Sequence, residues 1–282
     1  MAQDFPKPGP LRAWDRVLAQ PATRRDSSVV RSVESGARAR GAIDEKRWVI
    51  VTHLGLGDGI VQAGLMVALL ARCEELAFPC YPQYSETFRS IFANHPQITV
   101  YKVPQVQGED WGSPRDTTYD GAIEEAGFAD WRQIRLGIYN GRGIGWDFTK
   151  DFYEHAGIPY EMKWRLCPIS AAWRQVPQVE PQMGNGMRRI FLHDDVSRNF
   201  RIRRQQISHG FMFSPPQDYT RSVLSYAQYL IHADEVHCID SGFFWLADSL
   251  PVQGRLFLHK YARWQRPWHF KYETFRYWNY VD

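Results

Sequence analysis

The chain has 282 residues, 44% of them hydrophobic, with a formal net charge of +3 at pH 7. This is enough apolar chain to fill the core of one large globular domain or two small ones. The four cysteines are scattered without a CxxC pair, which argues against a zinc site and favours free buried thiols. No segment predicts a membrane span, and residues 1–20 lack the apolar core of a signal peptide, so we expect a cytoplasmic protein (in the host cytoplasm if viral).

The positive charge is concentrated in an N-terminal basic arm, residues 1–46. This arm carries nine Lys or Arg and six Asp or Glu, and the remainder carries 25 of each sign. A neutral body argues against strong binding of a polyanion outside the arm. The arm is rich in Pro, Arg, Ser and Ala, and we expect it to be partly extended around the body, with a loosely ordered tail as an equal alternative.

A strand, a glycine turn and a helix open the first half. Residues 48–52 predict a buried strand, and His53 ends it. The glycine turn 54–59 follows, and the apolar run 60–71 predicts a helix of three turns. The glycines let the backbone bend and let a ligand approach closely. Asp58 lies at the predicted helix start, where it can cap the helix, act as a catalytic carboxylate, or do both.

The following segments extend this unit into a βαβαβ pattern. Strands are predicted at 77–81 and 98–103, with a helix at 85–93 that Ser85 caps, so we expect a parallel sheet. Residues 104–150 have no clear pattern, and we interpret 141–145 as an ordinary glycine loop rather than a phosphate loop. A helix at 148–157 ends at a glycine, and the Pro, Gly and Gln of 174–188 predict a linker.

A second α/β unit follows the linker. Strands are predicted at 189–192, 235–239 and 255–259, with helices at 220–232 and 243–250. The sequence therefore predicts an α/β fold of two Rossmann-like parallel-sheet halves that face a cleft. The halves span 47–175 and 188–260. We expect the aromatic tail 261–282 to pack back on the first half, although its alternating aromatic and basic residues would also suit stacking on bases or sugars.

Polar residues follow three of the predicted strands, at the edge where parallel sheets bind ligands. The first group is His53 and Asp58. The second is His193, Asp194, Asp195 and Arg198, and the third is Asp240, Ser241 and Gly242. Simpler interpretations are that Asp240 and Ser241 cap the next helix, that Asp194 and Asp195 form a solvated turn, and that Arg198 belongs to an exposed basic turn. A metal on His193, Asp195 and His237 lacks the usual ligand spacing, so we expect no metal site.

Two of these segments resemble a known family. Residues 235–250, EVHCIDSGFFWLADSL, resemble the strand–DSG–helix segment of GT-B glycosyltransferases, especially the heptosyltransferase-like ones. Residues 53–70, HLGLGDGIVQAGLMVALL, are similar to the N-terminal Gly-Asp turn and helix of the same group. Together they cover about forty residues in the right order. The chain is short for two full GT-B domains, and Gln62-Ala63 and Phe244-Trp245 replace the family's usual proline and histidine.

The resemblance implies a transfer of sugar from a nucleotide-sugar co-substrate to an acceptor hydroxyl, by inversion and without a metal or cofactor. Asp58 would be the general base and His53 its rival. Arg198 would neutralise the leaving diphosphate. The implied donor and phosphate site comprises residues of both turns and of the strand end between them: Gly55, Gly57, Gly59, His193, Asp194, Arg198, Asp240, Ser241 and Gly242.

The sequence leaves the acceptor and two other functions open. The acceptor can be a glycan, a lipid-linked sugar or a hydroxymethylated base of a modified nucleic acid, which the basic arm favours and the neutral body disfavours. A non-catalytic nucleotide- or glycan-binding α/β protein would keep the phosphate turn without using Asp58 as a base. An NAD-dependent enzyme fits poorly because GxGxxG is missing and Tyr81-Pro82-Gln83 stands where an acidic residue is expected.

Overall fold

The computed structural model describes residues 43–109, 112–141, 147–181, 186–196, 198–217, 221–263 and 271–282. The predictions for arm residues 1–42, for 142–145 of the glycine loop, for 182–185 of the linker and for 264–270 of the tail therefore fall outside the described residues. Within the described ranges, every helix is too short or too polar to cross a lipid bilayer.

The first sheet has four parallel strands in the order β3-β2-β1-β4. They are β1 (Asp44–Val51), β2 (Glu75–Cys80), β3 (Ile98–Lys102) and β4 (Trp131–Arg135). The predicted βαβαβ unit is confirmed, and the apolar end of β1 is fully buried, as a central parallel strand requires. β4 was not predicted; it pairs along the free side of β1. β1 also begins earlier than predicted, so residues 44–46 belong to the sheet rather than to the arm.

The second sheet has five parallel strands in the order β6-β5-β7-β8-β9. They are β5 (Arg189–His193), β6 (Phe211–Phe213), β7 (Glu235–Cys238), β8 (Arg255–His259) and β9 (Trp278–Val281). The structure thus has two parallel-sheet α/β halves, which confirms the predicted fold class. β6 and β9 are edge strands that the sequence analysis did not predict.

Eight α-helices lie between these strands in the described residues. They are α1 (Leu56–Leu69), α2 (Ser85–Ile91), α3 (Asp116–Glu125), α4 (Phe148–His155), α5 (Met162–Arg165), α6 (Ile169–Ala172), α7 (Ala227–His232) and α8 (Gly242–Ser249). α1 begins inside the glycine turn, four residues before the predicted start, because Leu56 and Gly57 already have helical backbone. Ser85 does not cap α2; its hydroxyl donates to the carbonyl of Pro82 at 2.9 Å.

The starts of α1 and α8 pack directly against each other, one from each half. A Cβ atom on Gly57 would lie 3.0 Å from Cδ1 of Trp245, and one on Gly242 would lie 2.6 Å from Cδ2 of Leu56. Both glycines are needed for this close approach of backbone to neighbour. Most of the buried apolar residues of both sheets accordingly form one continuous core, and Leu192, Ile202 and Ile239 form a second, small cluster.

The aromatic tail is attached mainly to the second half, which corrects the expectation that it packs back on the first. β9 pairs with β8, and the buried carboxylate of Asp248 in α8 accepts hydrogen bonds from the backbone N–H groups of Phe275 and Arg276 and from the indole of Trp278. Contact with the first half is made at Glu273, which forms an ion pair with Lys150 at 2.6 Å.

The tail's aromatic residues divide between packing and exposure. Tyr272 and Trp278 are buried, as the packing interpretation requires, whereas Phe275 is 60% and Tyr277 84% exposed. The tail around Asp248 must be ordered together with α8, because the buried carboxylate would otherwise lose these three donors and keep only the ammonium of Lys163, at 3.9 Å.

Candidate active site

Two of the three predicted polar groups meet where α1 and α8 touch. Asp58 of α1 lies close enough to Asp240 and Arg263 for both charges to change its pKa. Asp240 ends the segment after β7, and Arg263 follows β8, so these two side chains come from the carboxyl edge of the second sheet. The structure therefore brings a carboxylate of the first half to the ligand-binding edge of the second, as the rule for parallel sheets predicts.

Asp58 is the third residue of α1 rather than its N-cap. Its carboxylate accepts a hydrogen bond from the backbone N–H of Gly55, the N-cap residue. This is the half of a capping box in which the third helical residue reaches back to the cap. The helix start thus holds the side chain in one orientation, so the carboxylate combines structural and chemical roles.

The pKa of Asp58 is raised from 3.8 to about 7, mainly by burial. The positive charge of Arg263 opposes this rise, the negative charge of Asp240 adds to it, and the Gly55 N–H opposes it. A carboxyl group with a pKa near 7 can both accept and release a proton at neutral pH, which is the property that a general base needs.

Gln62 connects Asp58 to the end of β1. The amide of Gln62 is fully buried; it donates to the carbonyl of Asp58 at 3.1 Å and accepts from the hydroxyl of Thr52 at 2.8 Å. A polar residue at this buried position is satisfied at both ends, so it costs little to bury. It fixes the first turn of α1 relative to the sheet, and hence the position of Asp58.

His53 lies in a different environment. Its Nε2 accepts a hydrogen bond from the backbone N–H of Ile138 at 3.2 Å, and its ring stacks on Phe148. Burial lowers its pKa to about 4, so the ring is neutral at pH 7. The nitrogen that would accept a substrate proton is already used by the backbone, and His53 is the weaker candidate base on this geometry.

The turn before α8 is held by contacts that the sequence did not reveal. Tyr272 donates its hydroxyl proton to the Asp240 carboxylate at 2.6 Å, and the Arg263 guanidinium donates to the Asp240 carbonyl. Ser241 occupies the N-cap position of α8, but its side chain does not cap the helix; its hydroxyl contacts Nδ1 of His193 at 3.0 Å. The capping interpretation of this serine is therefore wrong.

The group after β5 divides into one buried histidine and two ion pairs. The Asp194 carboxylate accepts from the Ile202 N–H at 3.3 Å and from Arg204 at 3.1 Å, so it is buried in a structured loop rather than in a solvated turn. Asp195 pairs with Arg198. Arg198 thus carries a carboxylate partner close to the position where the sequence analysis predicts phosphate binding.

The other predicted phosphate-binding glycines also face protein atoms. A Cβ on Gly59 would lie 2.2 Å from the ring of Phe88, and one on Gly55 would lie 2.3 Å from the carboxylate of Asp58. Neither has a positive φ angle. Their missing side chains are explained by packing and by the cap, and their use by a phosphate stays a prediction.

Arg263, Tyr272 and Phe200 are site residues that sequence reasoning missed as such. Arg263 and Tyr272 belong to the aromatic and basic tail, where the sequence showed their types but not their destination. Phe200 lies in a loop, and its ring lies beneath the guanidinium groups of both Arg198 and Arg263. Only the tertiary structure shows that these three residues lie together.

The structure separates the histidines that were considered as metal ligands. His237 lies within β7 and contacts Glu235 and His259 at 3.2 and 2.9 Å, whereas His193 contacts Ser241. Within the described ranges, no group of three or more His, Cys, Asp or Glu side chains could hold a metal ion. A depression of about 580 Å³ at the opposite edge of the second sheet is lined by Arg188, Asp234 and Arg255, away from Asp58.

Comparison with known proteins finds similarity in the fold of the backbone only. No protein-family model and no curated protein sequence matches the chain. The structure of E. coli heptosyltransferase WaaC with ADP is 12% identical, with a TM-score of 0.42 over 76% of this chain and 87% of that one. A family 9 glycosyl transferase from Veillonella parvula is 9% identical, with a TM-score of 0.42 over 77% and 83%.

A third structure is that of the iron-containing dodecameric glycosyltransferase TibC from enterotoxigenic E. coli. It is 14% identical, with a TM-score of 0.41 over 77% of this chain and 59% of that one. At these identities and scores, the function of the chain has to be inferred from its own residues.

Proposed function

We propose that the chain is a glycosyltransferase that moves a sugar from a nucleotide-sugar donor to an acceptor hydroxyl, with Asp58 as general base. The observation that carries this proposal is the pKa of Asp58, raised to about 7 at the junction of the two halves. The activities named for the three structures above agree with the proposal but do not support it independently.

The proposed reaction is a single displacement. The Asp58 carboxylate removes the proton from the acceptor hydroxyl, and the acceptor oxygen forms a bond to the anomeric carbon of the sugar. The bond between that carbon and the diphosphate oxygen breaks, and its electron pair leaves with the diphosphate. Attack from the face opposite the leaving group inverts the anomeric configuration. The proton then passes from Asp58 to solvent.

Charges at the start of α8 favour the departure of the diphosphate. Backbone N–H groups of the first helical turn attract negative charge. Ser241 does not use its side chain to cap them, and the guanidinium of Arg263 is held at the adjacent carbonyl of Asp240. The proposed reaction needs no metal because these groups can carry the charge.

A glycan hydroxyl is the proposed acceptor. The neutral charge of the body outside the arm gives no electrostatic reason for a nucleic-acid acceptor. The described part of the tail uses Tyr272 and Trp278 for packing rather than for stacking on bases.

The first test is a thermal-shift screen with UDP, GDP, ADP, CMP and their sugars, with and without EDTA. One nucleotide should raise the melting temperature, and EDTA should not remove the effect. Arg263→Gln should reduce the shift because it removes the guanidinium that is held at the Asp240 carbonyl, next to the start of α8. A folded protein that no nucleotide stabilises would contradict the use of a nucleotide sugar.

The second test separates catalysis from binding. Asp58→Asn should bind the donor nucleotide as the wild type does and should lose transfer by at least 100-fold, since the base is removed and the donor site is kept. Asp120→Asn, an exposed change in α3, is the matched control. An Asp58→Asn variant with unchanged transfer would favour another base, and a wild type that binds without transfer to any glycan would favour the non-catalytic alternative.

A further inference from the structure

The outer strands of the two sheets are protected unequally. In the described residues these strands are β3, β4, β6 and β9. An outer strand exposes unpaired N–H and C=O groups, and charged side chains or prolines usually keep other chains from pairing with it. β4 carries Arg132 and Arg135, each in an ion pair, and Pro104 and Pro215 lie two residues beyond β3 and β6. Residues 277–281, YWNYV, which include β9, contain neither a charge nor a proline.

The face of the sheet next to this open edge is apolar and incompletely covered. Trp278 packs on Phe244 of α8, and side chains alternate along a strand, so Tyr277, Asn279 and Val281 lie on the opposite face. There Asn279 is in register with Phe257 of β8. All four side chains of this face are at least partly exposed, and Tyr277 is 84% exposed. Parallel sheets are normally covered on both faces, so this strip is available to a partner.

The exposed edge is held in a fixed position. The buried carboxylate of Asp248 accepts hydrogen bonds from the backbone N–H groups of Phe275 and Arg276 and from the indole of Trp278. β9 itself pairs with β8 over its whole length. A partner can therefore add to β9 without first ordering it, which lowers the free-energy cost of association.

Symmetry limits how β9 can pair with β9 of a second copy. A two-fold axis perpendicular to the sheet makes the two strands antiparallel and keeps each face on its own side. Residues opposite one another must point to the same face, so the axis passes through a residue and not between two residues. With the axis at Asn279, Tyr277 lies opposite Val281 of the second copy, and Arg276 lies opposite its Asp282. An axis at either neighbouring residue separates both pairs.

This register is complementary in shape and in charge. Pairs of an aromatic with a β-branched residue, and of opposite charges, are both favourable across strands. The buried Nε of Arg276 has no hydrogen-bond partner among the described residues, and its guanidinium lies over the ring of Phe275. Oδ1 of Asp282 pairs with Lys260 at 2.9 Å, and the second oxygen can accept from Arg276 of another copy. A carboxylate from the second copy therefore gives the Arg276 charge a partner.

We propose that two copies of the chain associate through β9, antiparallel and with the two-fold axis at Asn279. Their five-stranded sheets then join into one sheet of ten strands. The contact is closed, because each copy uses its β9 edge and leaves that edge open to no third copy. A strand pair over residues 276–282 spans only about 23 Å, which is small for a protein interface. We therefore expect a dissociation constant in the micromolar range.

The test is sedimentation velocity of the full chain from about 1 to 100 µM. Arg276→Asp and Asp282→Arg each place like charges opposite one another, so each should weaken the dimer by at least 10-fold. The double substitution restores opposite charges in reversed order and should recover dimerisation to within about threefold of the wild type. Lys102→Asp, an exposed charge reversal in β3, is the matched control and should change the dissociation constant less than twofold.

Tyr277→Glu is a second variant that leaves the fold intact, because this side chain is almost fully exposed. It should weaken the dimer by at least 10-fold with an unchanged circular dichroism spectrum. A wild type that stays monomeric at the highest concentration, or that forms larger assemblies, would overturn the proposal. A dimer that Tyr277→Glu leaves intact, or that the double substitution does not restore, would overturn it as well. These outcomes are independent of the nucleotide screen, which tests the proposed function.

Discussion

Replacing Asp58 by asparagine should stabilise the protein while it abolishes transfer. Burial raises the pKa of this carboxyl group from 3.8 to about 7, so ionisation of Asp58 is less favourable in the folded chain than in the unfolded chain. A shift of about three pKa units, at about 1.4 kcal/mol each, corresponds to roughly 4 kcal/mol in the free energy of unfolding. Because the side chain is partly exposed to solvent, we expect a gain of about 1–3 kcal/mol.

The sign of this effect depends on pH. A carboxyl group whose pKa is higher in the folded than in the unfolded chain destabilises the fold when it is ionised. The increase in the free energy of unfolding caused by Asp58→Asn should therefore reach its full size above pH 7. It should be less than half as large at pH 5 and absent below the unfolded pKa of 3.8. Asparagine keeps an oxygen that can accept from the Gly55 N–H, so the helix start is preserved.

The assay is urea unfolding of the wild type, Asp58→Asn and Asp120→Asn at pH 8.5 and pH 5. Asp120 is exposed in α3, and its replacement should change the free energy of unfolding by less than about 0.5 kcal/mol at either pH. An Asp58→Asn variant that is less stable than the wild type at pH 8.5 would refute the reasoning. It would mean that the Arg263 charge and the Gly55 N–H outweigh burial, and that Asp58 is ionised too readily to act as a base near neutral pH.

Four further substitutions test the packing and the buried polar groups. Gly64→Ala should lower the free energy of unfolding by about 2–4 kcal/mol, because its Cβ would lie 2.7 Å from a backbone carbonyl of α5. Gly121→Ala meets nothing within 4 Å and should raise it by about 0.5–1 kcal/mol, as urea unfolding can show. Asp248→Ala leaves three tail donors unpaired, so it should speed hydrogen exchange in residues 271–282. Burial lowers the pKa of His259 to about 3; stability should fall as the pH drops below 6.5, and His259→Gln should flatten that slope.

Most of the strands that could be predicted are buried on both faces; β3, an edge strand, was predicted from its β-branched residues. β1, β5 and β7 lie inside their sheets, and their buried runs stand out from the surrounding sequence. β4 has the sequence WRQIR, and β9 has WNYV; each is an edge strand with one partner and partly exposed side chains. Such strands form because a neighbouring strand offers its hydrogen bonds, and their own pattern does not show this.

The candidate site could be predicted as far as the residues at strand ends. Asp58 and Asp240 follow buried strands, and the geometry of parallel sheets brings such residues to one edge. Arg263, Tyr272 and Phe200 lie in segments without a periodic pattern, so their arrival at that edge depends on tertiary contacts. The pKa of Asp58 has the same origin, since its causes include two residues that are about 180 and 200 positions away in the chain.

The two glycine turns gain a second explanation from their contact with each other. In the sequence they indicate a backbone that a phosphate can approach closely, and in the structure Gly57 and Gly242 allow the starts of α1 and α8 to touch. A donor therefore cannot lie between these two glycines while the helices are in contact. In the proposed reaction the donor therefore binds beside that contact, where the charges of Asp58, Asp240 and Arg263 meet. Asp58 lies partly exposed beside this contact, and burial raises its pKa to about 7, so the close packing of the two halves limits the space that a ligand can use next to this carboxylate.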